Sequence, residues 1–227
     1  MIPLRDRNPS GSFPSVTLAL IAANTLVFLY EVQLGPGLRH FVARFALVPA
    51  EVTGGLLYGT ASLTGTAMPF VTSMFLHGGW LHLIGNMWFL WIFGDNVEDT
   101  LGSFRYLLFY LVCGLGAAGI HYAVQPASTA PTLGASGAIA GVLGGYAVLF
   151  PRARVVTLVP VFVFLQIMEL PALVVLGLWF VLQLFSGSFA LASAAGAGAG
   201  IAWWAHVGGF LVGALLILLM RPRRVSI

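Results

Sequence analysis

Between Thr132 and Gly141 the chain reads Thr-Leu-Gly-Ala-Ser-Gly-Ala-Ile-Ala-Gly, with Ser136 set among small residues where a loop ending in Pro131 passes into an apolar run. Gly137, Gly141 and Gly145 recur at i, i+4, so one face of a helix beginning near Ser136 carries no side chains. Inside membranes such bare faces let a second helix backbone approach closely. A hydroxyl at the head of that helix is then held beside whatever its neighbour carries.

Composition sets the environment. Hydrophobic residues make up 59% of the 227 and charged residues only 7%, and the mean hydropathy is +0.97. Soluble domains carry about 25% charged residues, so this is an integral membrane protein with room for about six spans of ~20 residues. The single cysteine, Cys113, lies in an apolar run and excludes a disulfide framework. All basic residues are arginines at the ends of apolar runs, so the net charge of +3 does not speak for nucleic-acid binding. No cleavable signal stands out at the N-terminus.

In chain order, 1–15 reads as a cytoplasmic tail, 16–220 as a six-helix domain and 221–227 as a basic cytoplasmic tail. The expected spans are Val16 to Leu34, Trp80 to Phe93, Phe104 to Val124, Ser136 to Phe150, a fifth from Ala172, and Ile201 to Met220. An acidic run, Asp95 to Asp99, closes the second span. His40 to Val52 is amphipathic and suits the membrane interface. Val155 to Pro171 reads as a surface-lying segment, and Ser186 to Gly200 as a flexible loop rich in Ser, Ala and Gly. The fourth span is too short to reach both bilayer surfaces, which sinks its head within the protein. The fold class is therefore an all-α membrane bundle of six helices with a short buried fourth helix.

Orientation follows from the arginines. With both termini inside, Arg5, Arg7, Arg105, Arg152, Arg154, Arg221, Arg223 and Arg224 face the cytoplasm, and only Arg39 and Arg44 lie outside, as the positive-inside rule prefers. The starts of spans two, four and six then share the outer face. There they place His82 and Asn86, Ser136, and His206 at similar depth. Ionisable groups within spans are functional by default. A serine hydroxyl needs a base to become a nucleophile, and His206 is the candidate. Gly209-x-x-x-Gly213 facing the stripe of span four would bring the two together. His82, Asn86 and the backbone N–H groups heading span four can serve a developing oxyanion.

Gly134-Ala135-Ser136-Gly137, His82-Leu83-Ile84-Gly85-Asn86 and Ala205-His206-Val207-Gly208-Gly209-x-x-x-Gly213 resemble the three signatures of the rhomboid intramembrane serine proteases. The resemblance runs from Phe45 to Met220. It implies hydrolysis of peptide bonds in or near transmembrane segments of substrate proteins, without cofactor or metal. Ser136 would be the nucleophile, His206 the base, and His82, Asn86 and the Ser136 backbone the oxyanion hole. His77, Gly134, Gly137, Gly209 and Gly213 would support them, and Glu98 would tie loop ends by hydrogen bonds. The family's common Trp-Arg pair in the first loop is absent. Ala140 stands where some members place an aromatic against the histidine, leaving Trp203 as another way to hold His206.

Two other readings are open to the sequence. One is an inactive relative that binds transmembrane clients; such relatives typically lack the serine or histidine, which this chain keeps. The other is a small transporter, which would call for inverted repeats that the sequence does not show. Partners are expected to be transmembrane substrates and lipid, not nucleic acid. A short lysine-free chain suits a bacterial plasma membrane, with the site opening to the extracytoplasmic side.

Overall fold

A computed structural model describes residues 1–161, 164–192 and 202–220. In order it contains β1 (Ile2–Asp6), α1 (Ser15–Gln33), α2 (Leu38–Phe45), α3 (Pro49–Leu57), α4 (Pro69–Thr72), α5 (Trp80–Leu101), α6 (Ser103–Val124), α7 (Ser136–Leu149), β2 (Arg154–Val161), β3 (Phe164–Pro171), α8 (Ala172–Ala192) and α9 (Trp203–Met220). Among the described residues, four helices are long and apolar enough to cross a membrane: α1, α6, α8 as far as Leu191, and α9. α5 has 22 residues but carries Asp95, Glu98 and Asp99, and α7 has only 14. The protein is a mostly helical membrane bundle.

At its centre α7 packs on α9 with backbones nearly touching. A β-carbon at Gly209 would fall onto the carbonyl oxygen of Gly137, and one at Gly213 onto that of Gly141. A β-carbon at Gly144 would strike the carbonyl of Phe210. Gly209 and Gly213 face the backbone of α7 as expected, while the stripe of Gly137, Gly141 and Gly145 opens chiefly on Ala117, Cys113 and Phe109 of α6. α5 and α6 wrap the other sides of α7, and Leu90, Phe93, Phe109, Leu143 and Tyr146 form the core between them. Gly102 (φ +76°) sits in the left-handed region and turns the chain from α5 into α6.

The expectation of an all-helical fold is corrected by a three-stranded antiparallel sheet in the order β1-β2-β3. The segment taken for a surface run after span four is a hairpin, with Arg154 opposite Pro171 and Val161 opposite Phe164. Residues 1–15 do not form a loose tail. Pro3 and Thr157 are paired across β1 and β2, and the Pro3 carbonyl accepts the Trp88 indole N–H at 2.7 Å. Further along, Asn96 Nδ2 donates to the Asn8 carbonyl at 2.8 Å, and the Ser10 hydroxyl to Asp95 at 3.0 Å. The Gly11 N–H donates to Asp99 at 3.0 Å.

That segment also explains why α5 runs past Phe93 to Leu101. The acidic run that reads as the end of a span finds its donors in residues 10–17. Glu98, 1% exposed, accepts the N–H groups of Val16 at 2.9 Å and Thr17 at 2.8 Å, and the Ser103 hydroxyl at 2.7 Å. The first N–H groups of a helix have no partner within it, and α1, entered through Pro14, has no side-chain cap of its own. Glu98 supplies that cap from another helix, tying loop ends as the family resemblance implied.

Two further boundaries differ from expectation. The amphipathic segment in the first connection is two helices, α2 and α3, broken where Leu47 bridges Thr132 through N–H···O contacts of 3.0 and 2.7 Å. α8 continues through Ser186, where a loop was expected, as far as Ala192. Phe185, Phe189 and Leu191 keep its outer face apolar and exposed, and Gly187 gives room to Trp203 and Trp204. The rest of the Ser/Ala/Gly loop, Ile201 and the tail with Arg221, Arg223 and Arg224 lie outside the described residues.

Candidate active site

Ser136 is the first residue of α7, and His206 lies one turn into α9. The close backbone contact of these helices sets the two side chains together, with Ser136 Oγ 2.7 Å from His206 Nε2. The hydroxyl donates, because the other ring nitrogen, Nδ1, lies 2.7 Å from Gln183 Oε1, an atom that only accepts. The proton of the neutral imidazole therefore sits on Nδ1, leaving the Nε2 lone pair toward the serine. Both residues are half-buried and line a cavity of about 550 Å³.

His82 and Asn86 are one turn apart on α5 and line the same cavity. The Gly78 N–H donates to His82 Nδ1 at 3.3 Å, which assigns the ring proton to Nε2. That nitrogen faces Gly134: a β-carbon on Gly134 would stand 2.7 Å from His82 Nε2 and 3.6 Å from Asn86 Nδ2. Gly134 has φ +124°, and its N–H donates to the Ser73 carbonyl at 2.8 Å. The loop is thus clamped by Ser73 on one side and by the Leu47–Thr132 bridge on the other. Asn86 Nδ2 is buried without a partner among the described residues. Two side-chain donors and the unpaired N–H groups heading α7 border one space beside Ser136.

His77 lies behind this wall, outside the cavity lining. Its ring packs edge-on against His82, with centroids 5.2 Å apart, and its backbone N–H donates to the buried Glu31 at 3.0 Å. Burial, aided by the nearby His82, pushes the His77 pKa down to about 4, so this ring backs His82 in its neutral form at pH 7. His121 also lines the cavity and pairs through Nε2 with the Thr132 hydroxyl at 2.9 Å, while its Nδ1 is buried without a partner among the described residues. Gly137, Gly209 and Gly213 lie where the helices come into close contact. Among the described residues no three His, Cys, Asp or Glu side chains converge as a metal site.

The sequence reading missed Gln183 and Trp179. Both come from α8 and flank His206, Trp179 with its ring tilted 36° at 5.9 Å. Trp203, the holder considered from sequence, does meet the imidazole, edge-on at 6.3 Å. A lone Gln in an apolar run could have flagged Gln183 as a polar group needing a partner. Nothing local told which partner it had.

The Rhomboid domain family matches residues 64–223, and the chain belongs to the rhomboid family. Among curated relatives, Presenilin-associated rhomboid-like protein A, mitochondrial, of Danio rerio is 32% identical over 162 residues, covering 69% of this chain and 38% of the relative. Rhomboid-like protein 11, chloroplastic, of Arabidopsis thaliana is 46% identical over 72 residues, covering 32% of this chain and 25% of the relative. Rhomboid protein 1, mitochondrial, of Saccharomyces cerevisiae is 29% identical, covering 64% of this chain and 39% of the relative. The matches span less than half the length of each relative. Those names are organellar and lend no support to the expected bacterial plasma membrane.

Proposed function

We propose that this chain is an intramembrane serine endopeptidase that hydrolyses peptide bonds in or near transmembrane segments of membrane-protein substrates. The observation that carries the proposal is the 2.7 Å contact between Ser136 Oγ and His206 Nε2, in the tautomer a general base requires. Ser136 Oγ attacks the scissile carbonyl carbon as Nε2 takes its proton. The carbonyl oxygen becomes the oxyanion, met by His82 Nε2–H, Asn86 Nδ2–H and the Ser136 N–H. As the C–N bond breaks, Nε2 returns the proton to the leaving amine. Water then enters by the same base and releases the acyl group from Ser136.

The proposed domain is 16–220, crossing the bilayer with α1, α5, α6, α7, α8 and α9. Both termini would lie on the side of Arg5, Arg7, Arg105, Arg152 and Arg154, and the site would open toward the opposite face, where water can enter. Partners of this domain would be transmembrane proteins delivered through lipid.

The test is cleavage of a model transmembrane substrate by purified protein, comparing wild type with Ser136→Ala and His206→Ala. Both substitutions should abolish cleavage while leaving the melting temperature unchanged. A wild type that neither cleaves nor reacts with a fluorophosphonate at Ser136 would overturn the proposal in favour of a client-binding relative.

A further inference from the structure

The base is held by more than its own helix. Nδ1 of His206 carries the ring proton and places it on Gln183 Oε1 at 2.7 Å, while Trp179, one turn earlier on α8, tilts over the same ring. Gln183 is 9% exposed, and its amide oxygen is the acceptor at Nδ1. Without an acceptor there, the buried N–H would lose its bond, a cost of about 1–3 kcal/mol. The ring would then be free to rotate or to move its proton to Nε2, where it cannot accept from serine.

We propose that Gln183 is a positioning residue for His206, fixing both the tautomer and the ring orientation from α8, so that the working unit is Ser136–His206–Gln183. This inference rests on the protease reading above and deepens it. Because a carboxamide is neutral, it orients the imidazole without adding charge to the membrane-embedded site. Because it comes from α8, while Ser136 and His206 come from α7 and α9, the base is set only while α8 is docked against α9. Movement of α8 away from α9 would release the histidine and silence the serine together.

The experiment uses the full chain with Gln183→Met, which keeps the length and loses the acceptor, and Gln183→Glu, which keeps an acceptor. Each is assayed for kcat and KM on the transmembrane substrate, for the rate of fluorophosphonate labelling of Ser136, and for melting temperature. Gln183→Met should lower kcat and labelling by about 10- to 100-fold, the scale of a misplaced catalytic group, with KM within about twofold of wild type. Gln183→Glu should recover most of the labelling rate. Should Gln183→Met unfold, Gln183→Asn, too short to reach Nδ1, takes its place with the same expected loss. Wild-type kcat and labelling in the folded variants lacking the acceptor would overturn the inference and leave the protease reading standing, as would Gln183→Glu as impaired as Gln183→Met. An inactive wild type would overturn both.

Discussion

The His82 imidazole occupies the space where a β-carbon of Gly134 would stand, 2.7 Å from its Cε1 and Nε2. Backbone and ring can approach this closely only because residue 134 has no side chain, and φ +124° there disfavours any other residue. Gly134→Ala should therefore displace His82 and strain the loop at once. The expected result is loss of substrate cleavage with a stability loss of about 1–2 kcal/mol, read by cleavage assay and thermal denaturation in detergent. A variant with wild-type cleavage would show that His82 is not needed where it stands.

The contact of α7 with α9 leaves no room for a side chain at Gly209 or Gly213. A methyl group at either would meet a carbonyl oxygen of α7, and the helices would have to separate. Gly213→Ala should cost about 1–3 kcal/mol from overpacking. It lies far from the hydroxyl, yet fluorophosphonate labelling of Ser136 should fall too, since helix separation lengthens the Ser136–His206 contact. Labelling rate and melting temperature measured on one preparation would test both effects.

Glu98 should matter to stability and not to chemistry. Glu98→Ala leaves the N–H groups of Val16 and Thr17 without their acceptor, and such losses cost about 1–3 kcal/mol each when buried. Glu98→Gln retains one acceptor oxygen and should fall between. Below its lowered melting temperature, the Ala variant should label Ser136 at the wild-type rate. Slower labelling in fully folded protein would mean that Glu98 acts on the site as well.

The sheet carries a pH dependence of its own. Burial raises the Asp6 pKa from 3.8 to about 6, with the Asp95 charge adding to it and the Tyr146 hydroxyl, which donates to Asp6 at 2.6 Å, opposing it. A raised acid pKa means that the folded state binds the proton more tightly. The group then favours folding fully below pH 3.8, and the advantage disappears as pH rises through about 6. Asp6→Asn cannot titrate and keeps an oxygen for Tyr146. The melting temperature of wild type relative to Asp6→Asn should therefore fall between pH 4 and pH 7, and a flat difference would refute it.

Much of the bundle was legible in the chain because a membrane imposes simple rules. Runs of apolar residues near the right length became α1, α6 and α9 within a residue or two of the expected bounds. The glycine periodicity of Ser136 to Gly145 announced a close helix approach, met by Gly209 and Gly213 against the α7 backbone and by Ala117, Cys113 and Phe109 of α6 against the bare face. Where expectations failed, distant partners had overridden the local signal. Asp95 to Asp99 looks like the end of a helix until residues 10–17 supply its donors, and Val155 to Pro171 has no charge pattern to separate a surface helix from a hairpin. Ile2 to Asp6 is too short to declare a strand, and becomes one only through pairing with β2.

By itself the sequence determined the membrane environment and the small-residue faces, because hydropathy and periodicity are properties of neighbouring residues, and its motifs singled out Ser136, His206, His82 and Asn86 as candidates. Only the tertiary structure decided that Gln183 accepts from His206 and that Glu98 caps α1. It alone seated His82 against Gly134 and placed a sheet beside α5. Each of these is a hydrogen bond or contact between residues far apart in the chain, set by the distance and direction of two groups that no local pattern relates.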